Sequence, residues 1–388
     1  MIRHNYTLEK LAGEFRSLIG CEIVECFSQE KDSLVITAAT PEKEQFLYFN
    51  ADPNLCSIFL RPDFNRARKN TVDLFEPLIG KKFTGVKMIP KNRIICFDLA
   101  DHSLYAILFG GAKSNLILVD SEHKIIEALN SSKVTIGEKY EVPESNVKKL
   151  GEQPGDLNIE KALSKSQYLT GKYYAREICS RIGIDPKENL ENIDQEISEK
   201  IIAEAEKIYD ECMALKTTYI LRNHEKETIL SLIPLRDYPE IIREFDTVSW
   251  AVQYRFVNFI KNKKFRDLYK NLSKMLRNEQ KKLQRNIENA RDLEKSIERA
   301  EKYRHWAELL ASQLNPKDKP GSEVTLQDWD GTEITIPLNE KLTLIENSEK
   351  YFDKAKASQE DMKVRKQRLP ELEKKLEKVN ESLGEIDN

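Results

Sequence analysis

The sequence lacks the usual marks of secreted, fibrous and membrane-spanning proteins. Its 388 residues contain only six cysteines, none in a CxxC pair, and only 14 Gly and 14 Pro. Such cysteine usage favours reduced, buried thiols over disulfides or zinc ligands, and so little glycine excludes collagen-like chains. There is no apolar run of about 18 residues, and the N-terminus is charged near its start, so we expect no transmembrane helix, no secretory signal and a cytoplasmic location.

Sequence motifs typical of catalytic or metal-binding sites are equally scarce. The five histidines are scattered, and the sequence contains no HExxH, GxSxG or GxGxxG motif. The loop at 109–115 (FGGAKSN) resembles a P-loop only superficially, because the Walker spacing is not met and no helical pattern follows it. We therefore predict a binding protein rather than an enzyme, with no cofactor and no metal site.

Charge is unevenly distributed, although the net charge is only −3. Residues 61–93 contain nine Lys/Arg against three Asp/Glu, and residues 261–304 contain fifteen against seven. Two concentrated basic segments in a mildly acidic chain predict local binding of a polyanion such as nucleic acid. The alternative is that these lysines only form solvent-exposed faces of helices.

The first 150 residues predict a β-rich region. Segments rich in Ile, Val, Phe and Leu alternate with Gly, Asn, Pro and Asp, as is typical of short strands and turns. Two helices are predicted, at 7–19 with Thr7 as its N-cap and at 70–79. The nine predicted strands are 22–27, 33–38, 45–49, 57–60, 83–89, 93–99, 103–108, 115–119 and 125–129.

An internal repeat is indicated by the order of elements in this region. Each copy runs from a helix through Leu-Ile-Gly, at 18–20 and at 78–80, to a strand, a turn and a second strand. Each glycine would end its helix in a left-handed conformation. Two such halves predict a β-sandwich or flattened barrel with one helix per half; chance similarity of short apolar strings is the alternative.

Two loops in this region contain candidate ligand-binding residues. Arg66 and Lys69 lie three residues apart and would share a face of a helix, and with Arg68 they form a cationic cluster that can hold phosphates. Between two predicted strands, Gly110 and Gly111 allow close approach of the backbone to a ligand.

Residues 151–260 predict a helical region. A tight turn at 169–171 joins helices 159–168 and 173–182. This helix-hairpin-helix-like unit can bind a nucleic-acid backbone through its loop amides, or it can serve only to pack helices. The further predicted elements are a helix at 191–216, strands at 219–221 and 228–234, and a helix at 249–259.

Residues 261–388 predict two long helices and a β-hairpin. Helical periodicity runs without Pro or Gly from 261 to about 314, with a heptad seam. Residues 323–338 predict the hairpin, with Asp330-Gly331 in a type I′ turn. The seam residues that recur every seven positions are Leu276, Leu283, Ala290 and Ile297, with Leu272, Ile287, Leu293 and Ala300 between them.

The second long helix begins near residue 346 and should pair antiparallel with the first. Pro370 falls inside its apolar pattern and would break or kink it locally. The pattern is still apolar at Ile386, so we expect either a piece of a longer protein or a projecting terminus. The predicted class is α+β with three domains: a β-rich domain at 1–150, a helical domain at 151–260 and a coiled coil at 261–388.

Several strings agree in order and spacing with a known family. Residues 92–94 (NRI) resemble its Asp-Arg-Ile, and residues 111–118 (GAKSNLIL) resemble its Gly-Arg-His-Ser-Asn-Ile-Ile-Leu. Three later strings are similar to its helix-hairpin-helix at 168–184, its Gly-Glu-Leu-Leu at 307–310, and its Ile-x-Ile-Pro-Leu and Asn-Ala-x-x-Tyr-Phe at 334–338 and 347–352. Together they resemble the NFACT family of ribosome-associated quality-control factors, often labelled fibronectin-binding protein A.

The resemblance implies an N-terminal domain like that of formamidopyrimidine-DNA glycosylases, then a helix-hairpin-helix and a long antiparallel coiled coil. It also implies binding to tRNA, in bacteria chiefly alanyl-tRNA, and to the rRNA of large ribosomal subunits that carry a stalled peptidyl-tRNA. Such factors support template-free C-terminal tailing while the ribosome forms the bonds; no membrane or DNA partner is expected. The residues predicted to bind tRNA are Asn92, Arg93, Arg66, Arg68, Lys69, Gly111, Lys113, Ser114 and Asn115, and those predicted to contact the ribosome are Lys274 and Lys281.

The sequence departs from the family pattern at four places, one of them an early Asp for which Asn5 is the nearest counterpart. Asn92 stands where the family has the Asp of a pair tied to tRNA use and tailing, so the negative charge is lost. Gly111-Ala112-Lys113 replaces Gly-Arg-His, which moves the cation by one position and removes the imidazole. The family's C-terminal RNA-binding domain would follow Asn388.

Other functions compete with this interpretation. A coiled-coil scaffold that binds only protein, or an adhesin-like protein without RNA function, is the main alternative. A DNA glycosylase/lyase is disfavoured because those enzymes begin with Pro and Glu, whereas this chain begins Met1-Ile2. For Arg93 the structural alternative is an ion pair between strand ends, and for Lys274 and Lys281 it is a solvated helix face.

Overall fold

A computed structural model of the chain describes residues 4–109, 113–145, 147–292, 294–313 and 321–387. The chain forms two compact units, Met1–Asn262 and Lys263–Asn388. The α+β class is confirmed, with strands first, helices next, and long helices with one hairpin last. The division into three domains stays a prediction.

The first unit begins with two five-stranded antiparallel sheets. The first sheet, in the order β4-β3-β2-β1-β5, contains β1 (Glu22–Ser28), β2 (Ser33–Ala39), β3 (Glu44–Asn50), β4 (Ser57–Arg61) and β5 (Val72–Asp73). The second, in the order β10-β9-β8-β7-β6, contains β6 (Phe83–Met88), β7 (Ile94–Leu99), β8 (His102–Ile107), β9 (Asn115–Asp120) and β10 (Ile125–Ala128). All nine predicted strands are present to within one residue at each end.

The structure supports the internal repeat through a reciprocal pair of backbone hydrogen bonds. The amide of Gly20 donates to the carbonyl of Phe83, and the amide of Gly80 donates to that of Ile23, each over 2.8 Å. Both glycines have positive φ, +87° and +80°, which only glycine adopts cheaply. Side chains from both sheets share one buried apolar cluster.

The first predicted helix is present, but its N-cap prediction was wrong. Helix α1 (Asn5–Phe15) runs on into a 3₁₀ turn at Arg16–Leu18. The N-cap is His4, whose side chain accepts a hydrogen bond from the amide of Tyr6, whereas Thr7 is buried inside the helix. Leu8, Leu11 and Phe15 supply its buried face.

The helix predicted at 70–79 was wrong. The segment forms the short edge strand β5 and a 3₁₀ turn at Glu76–Leu78. Its backbone pairs with β1, and Phe75 takes a left-handed φ of +54° that interrupts a helix. Pairing with β1, which lies far away in sequence, overrides the local helical pattern.

Three helices and a small sheet complete the first unit. The turn between α2 and α3 lies where the helix-hairpin-helix-like unit was predicted, and Gly183 ends α3. Arg181 of α3 pairs with Glu204 and Glu211 of α4 and so ties the two helices together. The elements are α2 (Ile159–Lys165), α3 (Gly171–Ile182), α4 (Gln195–Ala214), β11 (Thr218–Arg222), β12 (Thr228–Ser231) and the unpredicted β13 (Glu240–Phe245).

The second unit is built on antiparallel helices, as predicted. Nε2 of Gln280 donates to Oδ1 of Asn380 over 2.7 Å. The hydroxyl of Ser348 donates to the carbonyl of Ala307 over 2.8 Å, so residue numbers rise on one side as they fall on the other. The elements are α5 (Val248–Arg291), which starts in the first unit, α6 (Glu294–Gln313), β14 (Glu323–Gln327), β15 (Glu333–Pro337) and α7 (Leu344–Asp387).

The details of these long helices differ from the prediction. The continuous helix from 261 is divided, since α5 ends at Arg291 and α6 begins at Glu294. Pro370 does not end α7, although it removes one backbone donor. Leu283 and Ala290 are buried in the seam, whereas Leu272 and Ile297 are exposed. Leu293 and Leu314 lie outside the described residues.

The hairpin is confirmed, but its turn type was wrong. The amide of Gly331 donates to the carbonyl of Asp328 over 3.0 Å, and within this described turn Gly331 is the only residue with positive φ. A type I′ turn requires two such residues in succession. The loop is therefore a three-residue connection in which Gly331 takes the left-handed position.

Candidate nucleic-acid interface

One end of the second sheet brings together most of the residues predicted to bind tRNA. Ile94 of β7 pairs with Ile107 of β8, and Ile107 pairs with Asn115 of β9. Because neighbouring strands run antiparallel, the start of β7, the end of β8 and the start of β9 meet at the same end. This sheet end, residues 92–93 and 113–115, is assembled from segments about twenty residues apart.

Three of the polar residues at the sheet end are buried, and two of them hold loops in place. Nδ2 of Asn92 donates to the carbonyl of Pro143 over 3.1 Å. Asn115 exchanges two hydrogen bonds with the backbone of Asn130, and Ser114 is fully buried. The side chains of Asn92 and Asn115 therefore position the sheet end rather than offer themselves to a ligand.

The exposed charge at the sheet end comes from Lys113. Its side chain is exposed, and it lies directly before the buried pair Ser114 and Asn115. Gly111, with its neighbours Gly110 and Ala112, lies outside the described residues. Lys133 points to the same end, since its Nζ donates to the carbonyl of Ser114 over 3.2 Å.

The cationic cluster at 66–69 is not on a helix, so the predicted shared face was wrong. Arg66 is committed to internal contacts: its guanidinium lies 2.6 Å from Asp73 and 3.5 Å from Glu25, and it stacks over the ring of Phe27. Arg68 and Lys69 are exposed in the same loop. Of the three predicted cations, Arg66 therefore has a structural role, whereas Arg68 and Lys69 are accessible to a ligand.

Arg93 lies directly before β7 and lines a cavity together with His4. Nδ1 of His4 accepts the amide of Tyr6 over 3.3 Å, and its Nε2 hydrogen-bonds the carbonyl of Thr170. This pattern fits a neutral imidazole with its proton on Nε2. Burial, helped by the charge of Arg93 and opposed by the bond to Thr170, lowers the pKa of His4 to about 4.

Sequence reasoning missed this histidine because a histidine N-cap has no recognised pattern. The signal that was present is the position of His4 immediately before an amphipathic helix. Lys274 and Lys281, predicted to contact the ribosome, are exposed on α5 of the second unit. Among the helices that the structure describes, none combines the length and apolar character needed to cross a membrane.

Comparison with known proteins identifies the family. The family model for the NFACT N-terminal and middle domains matches residues 5–388. The chain belongs to the NFACT family. It is 20% identical over 413 residues to the Rqc2 homolog RqcH of Bacillus subtilis (strain 168), covering 96% of this chain and 69% of that protein. Membership supports a role in ribosome quality control at the level of the family.

Two solved structures are also similar. The fibrinogen binding protein from Staphylococcus aureus has 20% identity and a TM-score of 0.48, over 65% of this chain and 98% of that one. The N-terminal part of the fibronectin/fibrinogen-binding protein from Streptococcus suis has 18% identity and a TM-score of 0.49, over the same 65% of this chain and 98% of its own.

Restoring the family's Asp at position 92 should destabilise this chain. In Asn92→Asp a carboxylate oxygen would replace the amide donor that faces the carbonyl of Pro143. We expect a loss of about 1–3 kcal/mol in the free energy of unfolding at pH 7, because a buried acceptor is left facing another acceptor. Urea unfolding measures it, with Asn92→Ala as the control that removes the bond without the charge. Equal stability of wild type and Asn92→Asp would contradict the loop-holding role.

The titration of His4 should make the protein lose stability in mild acid. The pKa of His4 in the folded protein lies below the unfolded value of about 6.5. Between pH 6.5 and 4 the unfolded state therefore binds more protons, so lowering the pH stabilises it relative to the folded state. Over this pH range we expect His4 to lower the free energy of unfolding of wild type by about 3 kcal/mol, and we expect His4→Gln to lack this decrease. Urea unfolding at several pH values tests this, with the exposed His224→Gln as the control. Parallel pH profiles for His4→Gln and wild type would refute it.

Proposed function

We propose that this chain is a cytoplasmic ribosome-associated quality-control factor that binds stalled large ribosomal subunits and tRNA. The observation that carries the proposal is the family match, which extends over residues 5–388. On this proposal the partners are rRNA, peptidyl-tRNA and an incoming tRNA such as alanyl-tRNA. The chain positions these substrates for C-terminal tailing and is not itself an enzyme.

The geometry of the sheet end supports a tRNA contact. Buried Asn92 and Asn115 hydrogen-bond neighbouring loops and fix the local backbone, while Lys113 is left in solvent. Phosphate contacts of exposed cations on a rigid frame position a nucleic acid without reading its sequence. Arg68 and Lys69 offer a second pair of accessible cations in the same unit.

A second candidate function is a protein-binding scaffold. Three large apolar side chains on α5, Phe265, Leu268 and Met275, are each about 70% exposed. Exposed apolar side chains at such helical spacing favour contact with another protein. The two functions differ in their response to salt, because RNA binding weakens steeply as salt rises whereas apolar contacts do not.

Reversing the accessible cations of the first unit should weaken tRNA binding. We expect Lys113→Glu, and separately Arg68→Glu with Lys69→Glu, to lower tRNA affinity and to reduce the salt slope by about one per lost phosphate contact. Filter binding over a range of salt concentrations measures both quantities. Lys124→Glu, at the opposite end of the second sheet, is the matched control. Affinity and slope equal to wild type in both variants would reject these surfaces as the tRNA contact.

Reversing Lys274 and Lys281 should weaken ribosome association and leave tRNA affinity unchanged. The double variant to Glu replaces two exposed cations of α5 that would face rRNA phosphates, so we expect roughly tenfold less co-sedimentation with large subunits at physiological salt. Lys375→Glu with Lys378→Glu, exposed on α7, controls for the change in net charge. Equal loss in both double variants would show that total charge, not this face, governs association.

A further inference from the structure

A cavity of 400 Å³ in the first unit has an unusual lining. It lies at the start of β7, the first turn of α3 and the start of α5. Of the fourteen described residues that line it, three are cations, Arg93, Lys172 and Arg255, and none is Asp or Glu. An enclosed space with cations and no acidic side chain concentrates a positive potential and favours an anion.

Arg255 is half-buried and lacks the carboxylate partner that such a guanidinium normally has. Burial lowers its pKa, and the charges of Tyr173 and Glu227 oppose that change only in part. Within the described parts of the chain, Tyr173 and Glu227 act on Arg255 only through space, with no hydrogen bond to it. Glu227 instead accepts hydrogen bonds from Tyr173 and Tyr238, over 3.1 and 2.7 Å. A partly desolvated cation without an ion-pair partner is stabilised when an anion binds beside it.

The first turn of α3 adds backbone donors to the same cavity. Gly171, Lys172 and Tyr173 all line it, and they are the first three residues of a twelve-residue helix. The first N–H groups of a helix have no intrahelical acceptor, and the N-cap Thr170 makes no side-chain hydrogen bond to them. Free amides at the positive end of the helix dipole are suited to phosphate.

Part of the remaining wall of the cavity is apolar. Leu230, Leu235, Val252 and Phe256 line it, and a volume of 400 Å³ falls in the range of sites for organic ligands. An anion with no organic part would leave this wall in contact with water. The ligand that fits both walls carries a phosphate at one end and a flat, weakly polar group at the other.

We propose that this cavity binds a nucleoside phosphate, with the phosphate on Arg255 and the first turn of α3 and the base against Phe256. The proposal stands on the cavity alone and does not require that the chain act on ribosomes. The nucleotide has two sources with the same chemistry, a free mononucleotide or one unit of an RNA.

Titration calorimetry of the full chain tests the proposal in two arms. One arm titrates each of the four nucleoside monophosphates, with adenosine and inorganic phosphate for comparison, and the other titrates tRNA. We expect Arg255→Gln to weaken binding at least about tenfold, since it removes a charge-assisted hydrogen bond. Arg243→Gln, an exposed arginine of the same unit stacked on Tyr254, is the matched control.

Each outcome of these titrations either supports or overturns the nucleotide proposal. Mononucleotide binding that needs the phosphate and is lost in Arg255→Gln identifies a free nucleotide; loss of tRNA affinity alone identifies an RNA unit. If a folded Arg255→Gln binds all ligands like wild type, the proposal is overturned. Should that variant not fold, Lys172→Glu replaces it, because Lys172 is exposed in the first turn of α3. Failure of tRNA or ribosome binding with intact mononucleotide binding would count against the proposed function and leave this site standing.

Discussion

The first unit depends on a backbone seam between two short segments, 19–23 and 79–83. Besides the two glycine amides, the amide of Ile23 donates to the carbonyl of Lys81, and that of Phe83 donates to Cys21. These bonds join the start of β1 to the start of β6. Every other strand of each sheet is paired outward from one of these two, so these bonds link the two sheets through their backbones.

The strands could be predicted because their signal is local. Short apolar runs between turn residues require no knowledge of their partners, and all nine were located. The segment 70–79 failed for the opposite reason, since its structure is decided by pairing with β1, some 45 residues earlier in the chain. β13 was missed because its exposed, charged residues mask the strand pattern in EIIREF. Strands whose structure depends on distant partners therefore lie beyond pattern reasoning.

At the candidate site, the residue types could be predicted from the sequence, but the role of each residue could not. The sequence identified Asn92, Asn115 and Arg66 as polar residues of interest, but their partners are distant or belong to irregular backbone. A polar side chain looks the same in sequence whether it binds a ligand or holds a loop. Only burial and hydrogen bonding separate the two, and they leave Lys113, Arg68 and Lys69 as the accessible cations. Arg255 was missed because nothing in a helical pattern marks an arginine as unpaired.

The neutrality of His4 connects the fold to the charge of the cavity. Its imidazole caps α1 and hydrogen-bonds the turn before α3, so it joins these two elements alongside the hydroxyl of Tyr6, which donates to the carbonyl of Tyr168. A protonated ring could not accept the amide of Tyr6 and would add a cation beside Arg93. Burial prevents this by disfavouring the charged form. The cavity therefore keeps its positive charge on arginine and lysine side chains that can reach a ligand, while the histidine contributes structure without charge.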